Sequence, residues 1–387
     1  MRRVGAVTVA RSDFSILLPV LRRVQADSEL SLELAVTGTH LVPEFGLTAW
    51  EVEAAGFDIV GRVEMLMASD TPEGTAKSMG LGLMGFGHLF TRWRPDILLI
   101  MGDRFEMFAA ATAALIFNIP IGHIHGGESS EGAIDDAFRH AITKMAHLHF
   151  TSTEVYRRRV IQLGEHPDRV VTCGAPALDN LRDHCALDDD QFADKFGIAL
   201  DPAPLVVTFH PTTRALERTV PDTNALLDAL SAVDLPAVFT APNADPAGRQ
   251  IRTAIEAFVT NRSNAWLVEN FGVEGYYSML RHASAMVGNS SSGIIEAASF
   301  ELPVVNIGDR QKGRIAAGNV IHVPANTQSI VDGLRRALAP DFRASLSGIR
   351  NPYGDGRTGA RIVDAIKRAD LSSAALQKSF HDMPAAV

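Results

Sequence analysis

Residues 96–107, D-I-L-L-I-M-G-D-R-F-E-M, and residues 118–149, N-I-P-I-G-H-I-H-G-G-E-S-S-E-G-A-I-D-D-A-F-R-H-A-I-T-K-M-A-H-L-H, decide how the rest of the chain reads. The run 97–101 is wholly apolar, long enough for a strand buried on both faces and too short for a helix. Gly102-Asp103-Arg104 follows at its carboxyl end, and a second strand, 119–124, ends in His125-Gly126-Gly127-Glu128. Two parallel strands then deliver Asp103, Arg104, His123, His125 and Glu128 to one sheet edge, where open α/β folds bind ligands. The segment 133–148 carries Ile134, Phe138, Ala141, Ile142 and Met145 at helical spacing toward a core. Asp135, Asp136, Arg139, His140 and Lys144 are left on its other faces. Asp136 and Arg139 are neighbours on one turn near the helix start, which suits a solvated ion pair as well as a site.

Outward from that stretch, strand and helix alternate. Residues 4–9 read as a first strand, followed by Arg11-Ser12-Asp13, with Ser12 or Asp13 capping a helix that carries Leu17, Leu18, Leu21 and Val24. Arg11 at that strand end is equally a surface arginine or a phosphate clamp beside a helix N-terminus. Strands follow at 32–37, 59–63, 149–152 and 170–173, and a helix at 71–93 is weakened by Gly80, Gly82, Gly85 and Gly87. The charged stretch 182–204 reads as the passage between domains. A second alternating set then runs through strands 205–209, 236–240, 266–268 and 285–287 to a last buried strand at 303–307.

At 387 residues the chain is long for one core, and the pattern predicts an α/β protein of two doubly wound Rossmann-like domains, 1–181 and 200–357, with a central cleft. A helix at about 358–372 is expected to pack back on the first domain. The composition, 46% apolar and 21% charged, is that of an ordinary globular protein. A net charge of −9 implies no general affinity for nucleic acid or anionic membrane, so an anionic ligand needs a local cluster of arginines. Cys173 and Cys185 are too few for a disulfide framework and lack metal-ligand spacing, which fits inert thiols in a reduced cytoplasm. No apolar run approaches the ~20 residues a membrane span needs. The start, Met1-Arg2-Arg3, precedes a run that Arg11 soon interrupts, as in a first strand and unlike a signal peptide.

The second half carries chemistry of another kind. Gly288-Asn289-Ser290-Ser291-Ser292-Gly293 is a small-residue turn between strand and helix, able to offer backbone N–H groups and hydroxyls to a phosphate or simply to cap a helix. Glu296 lies one turn later, placed for a ribose diol. His210-Pro211 ends one strand, and Arg310 and Arg314 follow another. Together these groups describe a diphosphate site.

The same residues carry a resemblance. Arg11-Ser12-Asp13-Phe14, Gly102-Asp103-Arg104-Phe105-Glu106, His123-Ile124-His125-Gly126-Gly127-Glu128, Ile134-Asp135-Asp136 with Arg139-His140, His210-Pro211, Gly288-Asn289-Ser290-Ser291, Glu296, Arg310 to Arg314 and Tyr353-Gly354-Asp355-Gly356 together resemble the UDP-N-acetylglucosamine 2-epimerases. The likeness is to the hydrolysing branch that serves sialic-acid-type sugar synthesis. It implies the two-domain glycosyltransferase-B architecture, a UDP-sugar substrate, no cofactor and no metal, and a cytoplasmic homodimer or homotetramer. It also implies anti elimination of UDP to a 2-acetamidoglycal, followed by hydration with the opposite configuration at C2. The substrate is UDP-N-acetylglucosamine or a 2,4-diacetamido-2,4,6-trideoxy relative.

By the same resemblance Arg11, His210, Ser290 and Ser291 hold the diphosphate and Glu296 the ribose, with Arg310 and Arg314 near the sugar and phosphate. Arg104 and Arg139 join the substrate-binding set, and Phe271 lines the uracil pocket. Asp103, Glu128 and Asp136 are the acid–base carboxylates. Many members carry glutamate where this chain has His125, so the base at C2 stays open among His125, Asp103 and Glu128. Thr37-Gly38-Thr39-His40 stands where the non-hydrolysing branch has T-G-Q-H, which favours the hydrolysing branch. A retaining glycosyltransferase of the same fold and a catalytically silent nucleotide-sugar sensor are the competing readings. An acceptor requirement marks the first, and the cluster of acids beside a dianionic ligand argues against the second.

Overall fold

The computed structural model describes residues 1–69, 71–131, 134–183, 186–212, 214–241, 247–372 and 376–382. Cys185 and Ala133, both used in the sequence reading, lie outside those residues, as do Thr213 and residues 242–245. The chain divides into two compact units, one of Met1–Glu128, Asp135–Asn180 and the chain from Tyr353 on, the other of Ser129–Ile134 and Leu181–Pro352.

The first unit is built on seven parallel strands: β1 (Arg2–Thr8), β2 (Leu30–Thr37), β3 (Ile59–Val63), β4 (Ile97–Met101), β5 (Ile121–Ile124), β6 (Leu148–Thr151) and β7 (Val170–Thr172). Their order is β3-β2-β1-β4-β5-β6-β7. Every residue of β4 is buried, because successive side chains enter cores on opposite faces. Ile97 and Leu99 meet Leu17 and Leu21 of helix Arg11–Ala26 and Ile362 and Ile366 of helix Thr358–Arg368. Leu98 and Ile100 meet Phe86 and Phe90 of helix Pro72–Phe90 and Met107 and Ala110 of helix Phe105–Ile116. Three glycines of Pro72–Phe90 sit at close contacts: a Cβ at Gly74 would meet Ser69 at 2.6 Å, one at Gly82 Met65 at 2.6 Å and one at Gly85 Val63 at 2.5 Å.

The second unit has six parallel strands: β8 (Leu205–Thr208), β9 (Ala237–Thr240), β10 (Ala265–Val268), β11 (Ala285–Gly288), β12 (Val304–Ile307) and β13 (Val320–Val323), in the order β10-β9-β8-β11-β12-β13. Three expectations change. The strand at 303–307 is not the last, since β13 pairs with it in parallel register. Only Ile321 of β13 is buried, so this edge strand shows no apolar run. The stretch 182–204 is not merely a passage: helix Asp189–Phe196 starts at an Asp188–Gln191 capping box and buries Phe192 in the second unit's core. The helix read at 133–148 spans Asp135–Met145, and Ile134 is exposed.

In each sheet the strand order reverses once, between β1 and β4 in the first unit and between β8 and β11 in the second. Loops leaving such a pair in opposite directions open a crevice at the carboxyl ends. Among the described residues no helix is long and apolar enough to cross a membrane.

Candidate active site

In the first unit, the polar residues that follow β4 and β5 bond to one another. Arg139, on helix Asp135–Met145, is only 2% exposed, although its spacing from Asp136 suggested a solvated helix face. The helix turns it inward: one guanidinium nitrogen donates to the His125 carbonyl at 3.1 Å and another to the Asp103 carboxylate. Glu128, 1% exposed, stands 3.9 Å from the same guanidinium. Its Oε1 accepts from His125 Nδ1 at 2.6 Å and from the Ser152 hydroxyl at 2.7 Å. A carboxylate only accepts, so the proton of that first bond belongs to Nδ1, and Nε2 of the neutral ring is then an acceptor. This is how an orienting carboxylate prepares a histidine to take a proton.

The backbone adds to the effect. His125 has φ +66°, a left-handed conformation that costs a non-glycine residue energy and persists only where its surroundings fix it. Here its carbonyl is held by Arg139, and its N–H donates to the Phe150 carbonyl at 3.1 Å. Gly127 has φ +78°, and a Cβ there would meet the Tyr156 carbonyl oxygen at 2.6 Å, so the chain turns between sheet and helix Glu154–Gln162 only as glycine. Behind the site His123 Nε2 lies 2.8 Å from the Gly102 carbonyl and Nδ1 3.1 Å from the Thr143 hydroxyl. Burial pushes this histidine down to about 3, and it stays neutral.

Asp103 keeps its side chain 20% exposed. Asp136, equally exposed, lies 3.7 Å from His140 one turn on, and burial pushes His140 down against the pull of Asp136 and Asp103. Arg11 opens the first helix and is half-buried, with Ala10 rather than Ser12 or Asp13 at the N-cap. Asp13 reaches back instead to the Val9 and Ala10 N–H groups and accepts from Thr8 at 2.8 Å. Burial raises the Asp13 carboxyl to about 6, against these bonds and the nearby Arg104. Arg104 itself lies 3.4 Å from the buried Glu106, and His40 lies 3.0 Å from Thr8. Ser152 and Thr8 carried no signal as site residues, each being a lone polar residue in sequence, whereas Asp13, His40, Glu106 and Thr143 stand in stretches quoted above but gave no sign of these bonds.

The second unit's edge is made of amides and hydroxyls. Asn289 Nδ2 donates to the His210 carbonyl and the His210 N–H donates back to Asn289 Oδ1, both at 2.8 Å, tying the ends of β8 and β11 together. Gly288 has φ +134°, and a Cβ there would lie 1.9 Å from the Thr208 carbonyl oxygen, so only glycine closes this turn. Ser290 caps helix Ser291–Ile295 by accepting from the Ser292 N–H, and Ser291 is half-buried beside it. The Asn289 carbonyl accepts from Arg310 at 3.1 Å and from Gln311 at 2.8 Å, which fixes the loop after β12 against this turn. Arg314 donates to Ser130 at 3.3 Å. Glu296 accepts from the Tyr277 hydroxyl at 2.7 Å, and burial raises its carboxyl although Ser292 and Tyr277 oppose the shift. Tyr276 donates to Ser292 at 2.7 Å.

The Phe271 ring is 6% exposed and packs against Phe192 and Phe196 in the second unit's core, with centroids 5.8 and 5.0 Å away. No group of three or more His, Cys, Asp or Glu able to hold a metal occurs among the described residues.

Comparison with known proteins fits this geometry. The sequence profile described as UDP-N-acetylglucosamine 2-epimerase matches residues 22–367. The Legionella pneumophila protein named UDP-N,N'-diacetylbacillosamine 2-epimerase (hydrolyzing) is 36% identical, over 98% of this chain and 99% of that one. The Campylobacter jejuni GDP/UDP-N,N'-diacetylbacillosamine 2-epimerase (hydrolyzing) is 38% identical, over 84% and 85%. The crystal structure of a Neisseria meningitidis UDP-GlcNAc 2-epimerase bound to UDP-GlcNAc superposes with a TM-score of 0.80 at 19% identity, over 95% of this chain and 100% of that one, a likeness of fold. The chain belongs to the UDP-N-acetylglucosamine 2-epimerase family, in its hydrolysing branch.

Proposed function

We propose that this protein hydrolyses UDP-N-acetylglucosamine to UDP and N-acetylmannosamine through a 2-acetamidoglycal. The observation that carries the reading is the His125–Glu128 pair with Asp103 beside it on Arg139. His125 Nε2 takes the C2 proton while the C1–O bond to the diphosphate breaks on the opposite face, and the double bond forms between C1 and C2. Glu128 and Ser152 hold the ring in its tautomer and stabilise the imidazolium as it forms. Water then adds its oxygen to C1, and a proton enters C2 from the other face. Asp103 and Asp136, the two partly exposed carboxylates, are the groups assigned to that delivery.

The leaving UDP is the share of the second unit. Ser290, Ser291, His210, Arg310 and Arg314 receive the diphosphate, and Glu296 receives the ribose. Each of these follows a strand end or opens a helix in its own unit. The chemistry asks for no metal and no nicotinamide, because side chains handle both the proton and the leaving group.

A second reading, the same reaction on UDP-2,4-diacetamido-2,4,6-trideoxyglucose, draws on the names of the relatives at 36% and 38% identity. A homodimer or homotetramer working in the cytoplasm completes the reading. Exposed Leu81, Leu83 and Met84 on helix Pro72–Phe90 support the association. The test is to offer each UDP-sugar alone with water and separate the products. UDP with the free 2-epimeric sugar is expected, faster from one substrate than from the other. UDP release that requires an added acceptor sugar contradicts the reading.

A further inference from the structure

The first unit holds a second buried ionic group behind the site, which the proposed reaction does not use. His149 on β6 is the register partner of His123 on β5, so the two rings share one face of the sheet, and both are wholly buried. His149 Nε2 lies 2.9 Å from Glu165 Oε2, Lys144 Nζ 2.6 Å from Oε1, and Lys378 Nζ 2.7 Å from Oε2. Lys378 comes from the far C-terminal segment. Its ammonium also donates to the Lys144 and Ala146 carbonyls at 2.8 and 2.6 Å, so each of its three hydrogens has an acceptor. Those carbonyls lie at the C-terminal end of helix Asp135–Met145, the negative end of its dipole and the helix that carries Asp136 and Arg139. The segment around Lys378 is seated in its own right. Phe380 lies under Lys144 at 5.0 Å, the His381 N–H donates to the Gly164 carbonyl at 3.0 Å, and a Cβ at Gly164 would meet the Phe380 ring at 2.3 Å.

We propose that Lys378 is a positioning residue for the first-unit site: it anchors the end of the Arg139 helix and, through Glu165 and His149, fixes His123 behind the Gly102–Asp103 turn. His123 is the link, since its Nε2 holds the Gly102 carbonyl and its Nδ1 meets Thr143 on the same helix. The proposal rests on the reading that Asp103 and Arg139 serve the reaction.

The electrostatics agree. Burial pushes the Glu165 carboxyl up, but His149, Lys144 and Lys378 more than offset it and hold it at about 2. Burial also lowers His149 against the pull of Glu165, and Lys378 and Lys144 lower it further. His147, lowered to about 4 by burial, and Arg169 complete the charged surroundings of Lys378 and His149. A neutral His149 donates from Nε2 to Glu165, and its buried Nδ1 has no hydrogen-bond partner among the described residues. Removing the charge of Lys378 raises the affinity of His149 for a proton. That proton goes to Nδ1, where it meets no acceptor and stands beside His123.

The test is Lys378→Gln in the full chain, with Lys378→Arg as the conservative variant. We expect kcat to fall by about tenfold with KM within about twofold, and the acid limb of the kcat profile to move up by roughly one pH unit. Lys378→Arg restores both. In the Glu165→Gln background the Lys378→Gln change moves the acid limb less than it does in the native background. Nitrogen-15 NMR of the histidines reads the same claim without turnover: His149 Nδ1 is unprotonated at pH 7 in the native protein and takes up its proton at higher pH in Lys378→Gln than in the native protein. If Lys378→Gln does not fold, the native His149 signal decides, and a protonated Nδ1 at pH 7 overturns the proposal. A folded Lys378→Gln with unchanged kcat and an unmoved acid limb also overturns it. Native protein inactive on both UDP-sugars overturns the proposed function instead, while the nitrogen signals still judge the array.

Discussion

The two sheet edges have the same topology and opposite chemistry. At the β4–β5 edge, charged side chains bond to one another and are largely withdrawn from water: Asp103 on Arg139, Glu128 on His125 and Ser152. At the β8–β11 edge the ties run between an amide side chain and backbone, with the Arg310 guanidinium on the same Asn289 carbonyl. Buried charges that interact strongly adjust one another's proton affinity. Amides, hydroxyls and helix N-termini hold an anion without changing protonation. The contrast fits the proposed reaction, with proton transfer in the first unit and anion binding in the second.

The largest expected effect breaks that division at its sharpest point. His125→Gln removes the base while keeping a polar side chain, and kcat should fall by about 10³-fold with the UDP dissociation constant unchanged. Next, Phe271→Ala should destabilise the protein by about 3–4 kcal/mol in denaturant titration, again with unchanged UDP affinity in the fraction that stays folded, because the ring is core. Weaker UDP binding beyond that loss of folded protein would place Phe271 in the uracil pocket.

Asp13 gives a pH signature of the first unit. Its folded value, about 6, lies above the ordinary 3.8, so the folded state binds the proton more tightly. The stability it contributes is therefore fully present below pH 3.8 and is lost as pH rises through about 6. Asp13→Asn should flatten that part of the stability profile by up to about 3 kcal/mol, measured by urea unfolding at pH 4 and pH 7. The smallest effect belongs to the second unit. Tyr277→Phe leaves Glu296 without one donor and should weaken UDP about threefold to tenfold by calorimetry, with little change in kcat.

The same contrast explains what could be read in advance. β4 and β5 were legible because strands buried on both faces are continuous apolar runs, and their polar endings, Gly102-Asp103-Arg104 and His125-Gly126-Gly127-Glu128, stand out against them. The Gly288 turn was legible for a related reason, since small residues between strand and helix admit few other structures. β13 was not, being an edge strand with one buried residue. The bond of Arg139 was left open in sequence because its partner Asp103 lies 36 positions away, while Asp136, the neighbour on the same helix, is one turn off. Ser152 is a lone serine after a short strand, and only the pairing of β5 with β6 brings it to Glu128. Phe271 sat in a loop next to a helix start and gave no sign that Phe192 and Phe196, some 75 residues earlier, would enclose it.

One measurement tests the division of labour most directly: proton NMR in D2O of the native protein and His125→Gln, each with the UDP-sugar it turns over. The account predicts that the native protein releases UDP and a 2-epimeric sugar carrying deuterium at C2, while His125→Gln binds UDP as tightly and forms neither product on the same timescale. Product that keeps hydrogen at C2, or His125→Gln working at the native rate, would contradict it.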